Sequence, residues 1–133
     1  MAADDPHQPL IDMNSHLVLI RTSYWVAAIA DFIIAFLVLI PERMGVAEFV
    51  YPMGLMSAVA FSWAVMLIIA DRQPLERRWV LLPTILVVLL LGVAGVHAAI
   101  AGLIPLSRVI GSSTAVALVL CLLTYTWLKT RKI

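Results

Sequence analysis

Four apolar runs limit what this chain can fold into: residues 22–40, 49–70, 79–104 and 109–128. Each matches the roughly 20 residues that a helix needs to cross the hydrocarbon core of a bilayer. A soluble helical bundle would carry a polar face on every helix, and these runs have almost none. Composition agrees, with 63% hydrophobic and 13% charged residues, against about half and a quarter in soluble domains. Mean hydropathy is +1.04. The sequence therefore predicts an all-α integral membrane protein with four spans.

The connections, residues 41–48, 71–78 and 105–108, are short. Short links join antiparallel neighbours, which predicts an up-down-up-down four-helix bundle as one domain over residues 16–133. Residues 1–15 read as a polar tail that holds Asp4, Asp5 and Asp12 without Lys or Arg, the wrong sign for a secretory signal. Asn14 or Ser15 is positioned to cap a helix that starts at His16.

Orientation follows from the cations. Arg21, Arg72, Arg77, Arg78, Lys129, Arg131 and Lys132 fall on one side and Arg43 and Arg108 on the other. The excess of Lys and Arg marks the cytoplasmic side, so both termini are expected there, in the cell membrane. Tyr24, Trp25, Trp79, Tyr125 and Trp127 lie at the same helix ends, with Phe49 and Tyr51 at the opposite interface, as an aromatic belt requires. The formal charge of +1 arises from clusters at helix ends, not from a continuous basic stripe, and implies no nucleic-acid partner. Cys121 is the only cysteine, which excludes a disulfide framework.

Asp31 sits near the midplane of the first run. A carboxyl at that depth is costly unless it faces protein or water, and is a functional hypothesis by default. Helical spacing puts Tyr24, Ala27, Ala28, Asp31 and Ala35 on one face and Trp25, Ile29, Phe32 and Phe36 around the other. The small residues suit close packing, and the second run offers Gly54, Ala58 and Ser62 at intervals of four. Ser57 and Ser62 bracket the midplane, and either hydroxyl is a candidate donor to Asp31. Two uses of Asp31 stay open: a protonatable group in a transport path, or a polar joint between helices one and two.

His97 lies in the small-residue stretch Gly92 to Gly102, which includes Gly95 and Ala99 as further packing positions. It can relay protons, hydrogen-bond the cluster Ser112, Ser113 and Thr114 on helix four, or ligate a pigment metal axially. The third use lacks a second ligand, so no cofactor is expected. Met53, Met56 and Met66 read as packing, since no His or Cys accompanies them to make a metal site.

The hinge Ala70-Asp71-Arg72-Gln73-Pro74-Leu75-Glu76-Arg77-Arg78 is the densest charged run. Asp71 and Glu76 can pair with Arg72, Arg77 or Arg78 in a solvated hairpin, and those arginines can also meet anionic lipid or a cytoplasmic partner. The stretch from Trp63 through this hinge resembles small four-helix prokaryotic membrane proteins of uncharacterised function. That resemblance implies a fold and no activity. In outline, Tyr24 to Asp31 also looks like the small multidrug resistance transporters, short four-helix proteins with a carboxylate in helix one. Those carry Glu where this chain has Asp31, and their Trp-containing third-helix motif has no counterpart here.

Motifs of catalysis are not found: no Gly-x-Ser-x-Gly elbow, no phosphate-binding Gly loop, no cluster at metal-ligand spacing. The expectation is a non-catalytic accessory, assembly or scaffold subunit, or a homo-oligomer, in the bilayer. The alternative is an oligomeric proton-coupled small-molecule exporter or channel that uses Asp31 as its coupling carboxylate.

Overall fold

The computed structural model describes the backbone of residues 8–40 and 50–133 and the side chains of residues 12–40 and 55–133. Arg43 and Phe49 lie outside the described residues, as do the side chains of Tyr51 and Met53 and the surroundings of Gly54. The described chain is all-helical, with four α-helices: α1 Gln8–Leu37, α2 Val50–Ala70, α3 Leu81–Ile100 and α4 Leu106–Thr130. Three stretches are long and apolar enough to cross a membrane, Asp12–Leu37, Arg78–Ile100 and Leu106–Thr130; the described apolar part of α2, Leu55–Ala70, is shorter. The protein is membrane-embedded.

Two helix ends differ from the sequence expectation for identifiable reasons. Helix α1 begins at Gln8, well before His16. Pro9 stands in its first turn, where a missing N–H costs no hydrogen bond. Ser15 therefore caps nothing and turns its hydroxyl back to the Asp12 carbonyl at 2.8 Å. Helix α3 stops at Ile100, short of Ile104, because Gly102 adopts a left-handed conformation at φ 73. Leu103 N–H then bonds Ala98 O at 2.9 Å and Gly102 N–H bonds Ala99 O at 3.0 Å, which closes the helix end.

Helix α1 packs mainly on α2, α3 packs on α4, and α1 also touches α4. The buried core gathers at the end of the molecule that carries the 71–78 loop: Ile20, Tyr24, Ala27 and Ala28 of α1, Leu67 and Ala70 of α2, Val80 and Leu81 at the start of α3, and Leu123 of α4. We call this the loop end. Burial fades away from it. Along one stripe of α4, Thr130, Thr126 and Leu123 are buried, Val119 is half-buried, and Ala115 and Ser112 are exposed, with Val109 buried again near the start of the helix. The α1–α2 contact continues further, through an edge-to-face pair of Phe32 and Phe61 at 5.3 Å and a bond from Ser57 Oγ to Ala35 O at 2.7 Å.

Candidate functional site

Helix α1 carries Asp31 on the same face as Tyr24, Ala27, Ala28 and Ala35, all of them buried. Small neighbours bring α2 close, and the Asp31 side chain is left only 7% exposed. It borders a small, partly open cavity of about 70 Å³ walled by Ile34 of α1, Met56, Val59, Ala60 and Trp63 of α2, and Val87 and Leu91 of α3. That volume has room for more than one water beside the carboxyl.

Neither expected donor reaches Asp31. Ser57 gives its proton to Ala35 O, which ties α2 to α1. Ser62 is exposed and bonds Ala58 O within its own helix at 2.8 Å. Hydroxyls in apolar helices satisfy themselves on the carbonyl one turn back whenever no better acceptor is near. Trp63 is engaged as well, since Nε1 donates to Thr84 Oγ1 at 3.2 Å and Thr84 donates to Val80 O. Asp31 thus has no hydrogen-bond partner among the described residues. Helix α2 also turns differently from its predicted seam. The small residues it buries are Ser57, Ala64 and Ala70, whereas Ala58 and Ser62 are exposed.

A second cluster lies at the loop end, where the sequence pointed to pairing inside the hinge. Asp71 reaches across to α1 instead. Arg21 Nε donates to Asp71 Oδ1 at 3.0 Å and Nη2 to Oδ2 at 3.2 Å, and Trp25 Nε1 also donates to Oδ2 at 3.2 Å. Tyr24 OH donates to Arg77 O at 2.8 Å. Arg77 and Arg78 turn to carbonyls, Arg77 to Ile69 O at 2.8 Å and Arg78 to Thr130 O at 2.9 Å, so they close the ends of α2 and α4. Arg72 stays exposed. Ser23 and Thr126 share a 2.6 Å hydrogen bond between α1 and α4. The visible hint was that Arg21 and Asp71 each sit at a span boundary on the same side. His16 Nδ1 is buried without a hydrogen-bond partner among the described residues.

His97 is exposed, not buried, and does not bond the Ser/Thr cluster. Ser112 donates to Val109 O and Thr114 to Ile110 O, each within α4. His97 instead lines an open groove of about 470 Å³ between α3 and α4, with Gly92, Val93, Val96, Ser113, Val116 and Ala117 among its walls. Gly92 permits this pairing, because a Cβ there would sit 2.9 Å from Val116 Cγ1. Gly95 and Gly111 are different: nothing lies within 4 Å of the Cβ each lacks. Ala99 is half-buried.

No three His, Cys, Asp or Glu side chains among the described residues converge on a point that could hold a metal. Met56 borders the Asp31 cavity, and Met66 packs against the core. The arrangement offers a secluded carboxyl between three helices, a polar clasp at one end, and an unfilled helix face. Comparison with protein-family models, curated proteins and solved structures finds no match.

Proposed function

We propose that the protein is a non-catalytic, multi-pass membrane subunit that assembles with other transmembrane helices, including copies of itself, through its α3–α4 face. The observation that carries this reading is how little those helices bury within the chain. Only 17% of the most apolar window of the α3 span and 11% of that of the α4 span are buried, against 33% for α1. In hydrocarbon, apolar area supplies no force between helices, so association depends on close packing and on polar groups that find partners. The α3–α4 face has both, with Gly95 and Gly111 open to a neighbour and His97 and Ser113 in the groove. Helix α2 is the fourth span in this reading. The helices run up-down-up-down, with both termini on the cytoplasmic side of the cell membrane, as the Lys and Arg distribution favours.

Native mass spectrometry after mild extraction tests the proposal. A homo-oligomer or a stoichiometric larger partner is expected. Gly95→Leu should abolish it while leaving helicity intact, because that side chain meets nothing within the chain. A lone monomer at every detergent concentration would overturn the reading.

A second reading, proton-coupled export or conduction, draws support from one observation. Asp31 is a buried carboxyl without a hydrogen-bond partner among the described residues, next to a cavity shared by three helices. Flux driven by a pH gradient in proteoliposomes, lost in Asp31→Asn, would favour it over the scaffold.

A further inference from the structure

The groove between α1 and α4 at the loop end is a site of a different kind. It is an open surface groove of about 500 Å³ lined by Asn14, Ser15, Val18, Leu19 and Thr22 of α1 and Tyr125 and Lys129 of α4. Its composition is graded, with amide, hydroxyl and ammonium groups beside aliphatic and aromatic walls. It also lies at one end of two of the long apolar helices, α1 and α4. Helix α1 continues through this level from its start at Gln8, and the Ser23–Thr126 bond fixes α1 against α4 just below it.

We propose that this groove binds one anionic glycerophospholipid. The phosphodiester would lie beside the Lys129 ammonium, the glycerol within reach of Asn14 and Ser15, and the first acyl carbons along Val18, Leu19 and the Tyr125 ring. Charge selects this occupant. Lys129 Nζ is held over the Tyr125 ring, 5.7 Å from its centroid, and has no carboxylate partner among the described residues. Arg131 and Lys132 follow it and are exposed. On the facing helix, Asp12 is the described carboxylate nearest the groove in sequence, while Asp71 is taken by Arg21 and Trp25. Among the described residues the groove therefore presents a cation without a carboxylate partner at one end of two long apolar helices, and at a bilayer surface each Lys or Arg adds to the attraction for anionic lipid. A zwitterionic headgroup brings its own cation to Lys129 and fits less well. The inference needs only that the protein be membrane-embedded and is independent of the assembly proposed above.

The test uses the full chain in mild detergent, supplemented with phosphatidylglycerol or phosphatidylcholine of matched chains, with bound lipid read by native mass spectrometry. One phosphatidylglycerol should be retained in preference to phosphatidylcholine. Lys129→Gln should weaken retention about fivefold, and Lys129→Arg should restore it. Val18→Trp, which fills the groove without a change of charge, should also weaken it; Arg72→Gln, an exposed cation away from the groove, should not. Equal retention of phosphatidylcholine, equal loss in Arg72→Gln, or displacement by inorganic phosphate would each overturn the proposal. Circular dichroism of each variant identifies loss of fold, and Lys129→Gln, at an exposed position, carries the decision if Val18→Trp misfolds.

Discussion

Asp31 and Asp71 are both buried carboxyls, and the chain treats them in opposite ways. Asp71 accepts from both Arg21 and Trp25. Removing its cation leaves a buried acceptor short of donors, which costs more than removing a partner that water can still reach. Arg21 is 60% exposed and Asp71 is 9% exposed. Arg21→Ala should therefore destabilise by about 2 kcal/mol, and Asp71→Ala by less, since Arg21 retains solvent. Thermal unfolding in detergent by circular dichroism gives the order, and the reverse order would contradict this account. Asp31 lacks any such partner among the described residues, so its replacement should be tolerated. Asp31→Leu, packed against Ile34, Val59 and Leu91, should leave stability unchanged or raise it by about 1 kcal/mol. Unfolding of that variant would mean that the carboxyl holds the helices together.

At the scale of helices, what the sequence revealed and what it concealed divide along a physical line. The apolar runs made the four helices visible, because length and lack of charge suffice to mark them. The face of α1 was visible too, since Ala27, Ala28 and Ala35 fall in register with Asp31. Helix α2 was not, because nearly every residue in it is apolar and periodicity carries no signal when there is no polar face. Its rotation is set by which side chains meet α1, and Ser57 and Ala64 won over Ala58 and Ser62. Hydroxyl bonding was equally hidden, because a Ser in a helix always has its own carbonyl one turn back. Glycines separate on similar grounds. Gly92→Ala drives a methyl to 2.9 Å from Val116, a side chain stiff at χ1, and should part α3 from α4. Gly95→Ala meets nothing and should stabilise α3 by up to about 1 kcal/mol through helix propensity. Gly102→Ala forces a Cβ into a left-handed turn and should cost about 1 kcal/mol. Melting curves of the three should thus fall on both sides of the wild type, with Gly95→Ala above it.

For the whole molecule, the uneven burial implies two helix pairs that are clasped at one end and part toward the other. The clasp is polar and specific: Arg21 with Asp71, Tyr24 with Arg77 O, Arg78 with Thr130 O, and Ser23 with Thr126. Beyond it, α2 and α3 meet at Trp63 and Thr84 and around the small cavity at Asp31. The far half of α4 leaves Ser112 and Ala115 exposed where α1 would have to cover them. A pair of helices hinged in this way can widen at the far end without breaking the clasp. Disulfide trapping measures this directly, in a Cys121→Ala background that removes the exposed native thiol. Ser23→Cys with Thr126→Cys should cross-link rapidly, because the native side-chain oxygens stand 2.6 Å apart. Leu37→Cys with Ser112→Cys, at a similar level on the far half of the same two helices, should cross-link slowly or not at all. Equal rates for the two pairs would mean that α1 and α4 stay together along their length.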